Sequence, residues 1–302
     1  MAAKISLWLV PVRHDWADYR KSAIYTLFVA FPGGVMPSFV PVSRGNHTGK
    51  ARLRYSSYDF AADRAAIPIV AAELAKAVLS MPLAFVEENG ARHIVAVMSP
   101  EPGKNQFVAP DGRWLGGYIP AAIRGYPFSL LHPDGAQAPI LCVDENSGLV
   151  VDAGTPGAEL FFDEEGTPAP ALKAVLDFLG QVETNRDATK RAVMALVAAD
   201  VLTPWPLQVN TSAGTTTVSG LHRIDEARFN ALNDEVFLGL RTVGSLVVAY
   251  AQLISIGQIG IFETLAKLRA QISEVHLPQQ RAFDGIFEPP ASEGLHFDFS
   301  QL

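Results

Sequence analysis

The spacing of apolar residues divides the chain into a strand-rich first half and a helical second half. Short β-branched and aromatic runs bounded by Gly and Pro are the strand pattern, and "ISLWLVPV", "AIYTLFVAF" and "PSFVPV" carry it within the first 50 residues. The polar stretch "SRGNHTGK" follows. Residues 1–50 thus read as a β arm or small sheet added to what comes after. Between 51 and 166 the pattern stays strand-like with one helix, "AAIPIVAAELAKAVLSM", whose Ile69, Ala72, Leu74 and Val78 fall on one face. "PLAFVEENGARHIVAVM" predicts a hairpin, because two apolar runs flank an Asn-Gly turn at Asn89 and Gly90. "FSLLHPDGAQAPILCVDE" predicts a second, over an Asp-Gly turn.

From Pro170 the period changes to that of a helix. Leu172, Val175, Leu176, Leu179 and Val182 share a stripe, and Val193, Leu196 and Val197 continue it until Thr203-Pro204-Trp205-Pro206 ends the run. A hairpin over Ser212-Ala213-Gly214 comes next, and Asp225 is placed to cap the helix "EARFNALNDEVFLGL". The run 242–262 and "ETLAKLRAQI" complete a helical C-terminal half. Beyond it, Phe283, Phe287, Phe297 and Phe299 are threaded among Pro, Gly and acids, which describes an extended arm that needs a surface to lie on. The expected fold class is α+β, with a β arm at 1–50, a body at 51–270 and an extended arm at 271–302.

Composition narrows the partners. Apolar residues make up 49% and charged residues 18%, which is a globular balance, and the net charge of −7 with no basic run argues against nucleic acid. The single cysteine, Cys142, neither staples a fold nor builds a thiolate metal site, and "APILCVD" marks it as a buried small hydrophobe. The start lacks the features of a signal peptide, so synthesis in the cytoplasm is expected, with the mature protein in a particle or extracellular assembly. Residues 242–262 pass without a charge, long enough to span a bilayer. Gln252, Gln258, Ser245, Ser255 and three glycines recur within that run at helical spacing, so a buried or interface helix is expected there and no membrane span.

Candidate chemistry gathers at "GRWLGGYIPAAIRGYPF", 112–128, where Trp114, Tyr118 and Tyr126 alternate with prolines beside Arg113 and Arg124. Two readings stand: a ligand site of cations and amphipathic rings, or a rigid clamp between the two halves. His132 and Asp134 have the H-x-D spacing of mononuclear iron sites. Pro-Asp-Gly is also a plain turn, so no metal, no cofactor and no catalytic residue is assigned. The acids at Asp163, Glu164 and Glu165 read as a solvated turn or helix start.

The block "DGRWLGGYIPAAIRGYPFSLL" resembles the G-x-W…Y-x-P-x-x-x-R-x-Y-P-F block of the bacterial SapC family. "YDFAADRAAIPIVAAELAKAVLSMPLAF", "LCVDENSGLV", "GAELFFDEEGTPAPALKAVLDFLG", "LHRIDEARFNAL" and "AYAQLISIGQI" are similar to its other blocks, in order, over about 55–270. The chain departs from that pattern at Gly125, where the family often has Arg, and at Gln252, where it often has His. The resemblance implies a role in surface-layer or other assembly biology and supplies no catalytic residues. The expected function is therefore a non-catalytic structural component of a larger assembly, a surface layer or virus-like particle, which docks through its arms onto protein partners or copies of itself. The alternative is an enzyme or small-molecule binder with a cleft near Arg113, Trp114 and Arg124, with His132 and Asp134 as candidate metal ligands.

Overall fold

The computed structural model describes residues 37–133, 138–211 and 214–284. The runs "ISLWLVPV" and "AIYTLFVAF" lie outside the described residues. In chain order the elements are β1 (Phe39–Pro41), α1 (Arg44–His47), β2 (Lys50–Arg52), β3 (Ala66–Pro68), α2 (Leu74–Ala77), β4 (Leu83–Glu88), β5 (Ala91–Val97), α3 (Ala121–Arg124), β6 (Phe128–Leu131), β7 (Ile140–Asp144), β8 (Val150–Asp152) and β9 (Glu159–Leu160). The second half adds α4 (Pro170–Ala198), β10 (Leu202–Pro204), β11 (Leu207–Thr211), β12 (Gly214–Val218), β13 (Leu221–Ile224), α5 (Glu226–Asn230), α6 (Asp234–Thr242), α7 (Ser245–Ser255) and α8 (Ile261–Asp284). This is an α+β fold, β-rich first and helical later, as the periodicity predicts.

The main sheet has the order β10-β13-β4-β5-β3, and its pairs are all antiparallel. Asn89 and Gly90, with φ of 48° and 75°, make the tight turn between β4 and β5. That conformation suits a two-residue hairpin and explains why Asn-Gly is found there. A second sheet, β1-β7-β6, and a third, β8-β2-β9, build the other side of the molecule. The last strand of the expected arm, β1, pairs with β7 from Phe39 opposite Asp144 to Pro41 opposite Cys142. Cys142 is buried, and burial pushes its thiol up to about 12, so it behaves as the small hydrophobe predicted.

Two apolar cores result. The larger gathers Leu74, Met81, Leu83, Phe85, Ile94, Phe107, Ile123, Leu196, Phe229, Val248 and Phe262 around the main sheet. The smaller gathers Val42, Phe128, Leu130, Val143, Phe161, Leu172 and Leu179. Helix α4 enters both, with Leu172 and Leu179 in the smaller and Ala192, Val193 and Leu196 in the larger. Pro170 starts it at a position where no intrahelical N–H is lost.

Three expectations are corrected. The stretch 65–81 is not one helix: Ala66–Pro68 pairs with Val95–Val97 as an edge strand, and only Leu74–Ala77 is α-helical. Pro68 lacks the N–H that a helix interior needs and is tolerated at a sheet edge. Helix α4 stops at Ala198, ahead of the Thr203-Pro204-Trp205-Pro206 stop, because Leu202–Pro204 is drawn into the sheet beside β13. Helix α8 runs on to Asp284, so residues 271–284 are helical rather than part of an extended arm. Asp225, by contrast, caps α5 as expected, accepting from the Arg228 N–H at 3.1 Å.

The charge-free run 242–262 is broken. Gly244, at φ 77°, turns the chain between α6 and α7. Among the described residues no single helix is long and apolar enough to cross a membrane, and the pair Asp234–Thr242 and Ser245–Gln258 bends by 93°. The polar residues in the run join α7 to the sheet. Strands β13 and β4 pair from Leu221 opposite Val86 to His222 opposite Phe85, a register that would bring Ile224 opposite Leu83. At that rung the Gln252 amide stands between the strands: its Oε1 accepts from the Ile224 N–H at 2.8 Å and its Nε2 donates to the Leu83 carbonyl at 3.3 Å. Ser255 accepts from the Leu83 N–H at 2.9 Å, and the Ser245 hydroxyl donates to the Ala192 carbonyl of α4 at 2.8 Å. All three side chains are buried, so these bonds satisfy backbone groups that have no water to turn to.

Gln252→Leu removes both amide bonds and leaves the Ile224 N–H and the Leu83 carbonyl buried and unpaired. Urea unfolding should show a loss of about 2–4 kcal/mol. A loss below about 0.5 kcal/mol, within the range of a neutral surface change, contradicts the bridging role.

Candidate functional site

The block 112–128 crosses from one core to the other. It opens at Gly112, whose φ of 79° and contact with Ser57, where a Cβ would overlap the hydroxyl, both require glycine. Trp114 stacks on Phe107 with centroids 5.6 Å apart, and its indole N–H donates to the Tyr118 carbonyl at 2.9 Å. Pro120 leads into α3, which places Ile123 in the larger core. Gly125 lies against Leu179 of α4, where a Cβ would come within 2.9 Å of the leucine methyl. Tyr126 stacks face to face on Phe60 at 3.9 Å, ahead of a cis peptide bond to Pro127. Phe128 then enters the smaller core, edge-on to Phe161.

One carboxylate organises the middle of this path. Glu73 is 5% exposed. Its Oε1 accepts from the Tyr118 hydroxyl at 2.8 Å and the Ala121 N–H at 2.6 Å, and its Oε2 accepts from the Val70 N–H at 3.1 Å. Arg124 closes the network, donating from Nη2 to the Tyr118 hydroxyl at 3.2 Å while its guanidinium lies 5.0 Å from the Phe178 ring centre on α4. Burial, and then the bond to Glu73, push the Tyr118 phenol up to about 12.

Of the five residues expected to bind a ligand, Trp114, Tyr118 and Arg124 are brought together, with the Trp114 N–H, the Tyr118 hydroxyl and one Arg124 nitrogen engaged by the protein. Arg113 turns away to an exposed ion pair with Asp111 at 2.7 Å. Tyr126 stacks on Phe60 and is linked to Trp114 through Tyr55 and Tyr58, in one continuous run of rings. Sequence reading missed Glu73. Its signal was an acid inside the apolar stretch "IVAAELAKAV", three residues beyond Val70, the spacing of a capping carboxylate. His132 meets Glu183 at 3.4 Å, and Glu183 is also paired with Arg186 at 2.9 Å. Asp134 lies outside the described residues. Among the described residues no group of three His, Cys, Asp or Glu side chains is arranged to hold a metal ion.

Beside the network runs a cleft of about 240 Å³ between α4 and the face of the main sheet, with Glu73, Ala122 and His132 at one side. Val86, Val95, Val182 and Val193 give it apolar walls, and Glu88, His93, Arg186 and Lys190 give it charge. Burial pushes the Glu88 carboxyl up. Burial first, and then the charges of Lys190 and Arg186, push the His93 imidazole down. A third feature is an apolar stripe on α7. Val247, Tyr250 and Ile254, spaced three and four residues apart, are 60%, 46% and 64% exposed, although the opposite face of the helix is interior. Of the interface residues expected from sequence, Phe283 falls in the last turn of α8, and Phe287, Phe297 and Phe299 lie outside the described residues.

The raised phenol of Tyr118 sets a direction for stability. The contribution is fully present below the unfolded value of 10.0 and is lost as pH rises toward the folded value of about 12. Wild-type protein should therefore lose stability between pH 10 and 12 more steeply than Tyr118→Phe, as read by urea unfolding at each pH. Equal slopes contradict the placement of this hydroxyl on Glu73.

No curated protein and no solved structure matches the chain. The family model SapC matches residues 42–261, from the strand turn before α1 to the first residue of α8. That span holds the 112–128 block, Glu73, the Gln252 bridge and the cleft. The chain belongs to the SapC family.

Proposed function

We propose that this protein is a non-catalytic interaction component of a larger assembly, and that the exposed face of α7 receives the aromatic C-terminal segment of another copy. The observation that carries the proposal is the stripe of Val247, Tyr250 and Ile254 on a helix that otherwise belongs to the core. Single exposed apolar residues are ordinary, whereas three large ones in register on one face expose a continuous apolar strip to water. The 112–128 network supports the same reading, since Tyr118 and Arg124, which looked like part of a ligand site, bind Glu73, one another and α4.

The choice of occupant follows from the sequence and from α8. The helix leaves the larger core after Phe262 and Leu265 and rises about 36 Å over its 24 residues. The segment with Phe287, Phe297 and Phe299 follows in sequence after Asp284, the last residue of that helix. An assembly component needs contacts between copies, and a neighbour's α7 is the surface proposed for this segment. Surface-layer and particle subunits are the assembly classes that fit a component built this way.

Light scattering of the purified full chain should give a native mass well above the 32.5 kDa of one copy. The double variant Val247→Asp and Ile254→Asp, and separately removal of 285–302, should each lower it toward one copy with the far-ultraviolet dichroism unchanged. A wild-type chain that stays at one copy at high concentration refutes the proposal, as does an assembly that survives both changes.

A further inference from the structure

We propose that the cleft between α4 and the β4–β5 hairpin binds a small aliphatic zwitterion, an α-amino acid with a branched apolar side chain. The inference goes beyond the assembly reading and does not depend on it. Three observations on different elements converge on this ligand class.

The first is Glu88. It lines the cleft, is 5% exposed, and its Oε1 is shut off from solvent with no hydrogen-bond partner among the described residues. A buried carboxylate left this way is costly, and an incoming ammonium is the group that relieves it. The second is the opposite wall. Arg186 and Lys190 lie one turn apart on α4 and both act on His93, whose ring is therefore flanked by positive charge. Arg186 is already engaged by Glu183 at 2.9 Å, which leaves the Lys190 ammonium to meet a carboxylate. His93 sits opposite Val86 on the strand pair, and Glu88 opposite Ala91 follows two residues on, on the same face of the hairpin. The third is the apolar lining of Val86, Val95, Val182 and Val193, which fits a branched aliphatic side chain.

Other ligand classes leave something unsatisfied. A simple anion brings no donor to Glu88, and a simple cation brings no counter-charge to Lys190. A wholly apolar molecule strands both charges in a drier cleft. The volume of about 240 Å³ lies below the range of about 300–1,000 Å³ typical of drug-sized pockets, in keeping with a single amino acid.

The test is titration calorimetry of the full chain with L-leucine, N-acetyl-L-leucine, which lacks the ammonium, and L-leucinamide, which lacks the carboxylate. Leucine should bind saturably, and each analogue about tenfold or more weakly, the loss expected for one charge-assisted contact. Glu88→Gln should erase the preference over N-acetyl-leucine, and Lys190→Gln the preference over leucinamide. No saturable binding of leucine to the wild-type chain overturns the proposal. Should Glu88→Gln fail to fold, Lys190→Gln decides alone: its side chain is exposed, and unchanged leucine affinity in that variant overturns the proposal equally.

Discussion

The placement of α4 in two cores is the constraint on which the rest of the structure depends. Leu172 and Leu179 pack with the small sheets, and Ala192, Val193 and Leu196 pack against the main sheet, about 36 Å apart from first to last along one rigid rod. Everything that crosses between the halves is fitted to that rod. Gly125 exists where Leu179 leaves no room for a side chain, Arg124 covers Phe178, and Thr189 accepts the Ala71 N–H at 2.7 Å, holding the segment before α2 in place. The 112–128 block carries Ile123 into one core and Phe128 into the other beside the same helix. The cleft with Glu88 and His93 is the gap left where α4 does not press fully onto the sheet.

Two of the buried polar side chains that finish the fold, Glu73 and Gln252, act at long range. Glu73 takes the N–H of Ala121 and the hydroxyl of Tyr118, and Gln252 ties β13 to β4 where their direct pairing ends. Each replaces water for backbone groups that the packing has dried out, which makes it structural by necessity. An amide suits the Gln252 position because that position needs one acceptor and one donor on two strands.

How much of this was legible depended on how local each signal is. The Asn89-Gly90 turn, the Asp225 cap and the stripe of α4 are written within a few residues and are found where the sequence places them, except that Val197 at the end of the stripe is 45% exposed. Residues 65–81 misled because an apolar run beside Pro68 fits a helix face and an edge strand equally well until its partner, β5, is known. The halt of α4 at Ala198 has the same origin, since β13 claims the residues that follow. At the candidate site, composition marked 112–128, and the arrangement decided its character. Glu73 had only its local spacing to Val70 as a signal, because its partners Tyr118 and Ala121 lie 45 and 48 residues away, and the bridging role of Gln252 was hidden because Leu83 lies 169 away.

The functional reading turns on whether the α7 stripe is covered by another copy. A photo-crosslinking residue placed at Val247, in a mixture of isotopically light and heavy full-length chains, reports this directly. The account predicts light-to-heavy crosslinks that map to residues 285–302. Crosslinks confined to a single chain, or none above the level of a probe at an exposed polar position such as Lys173, would contradict it.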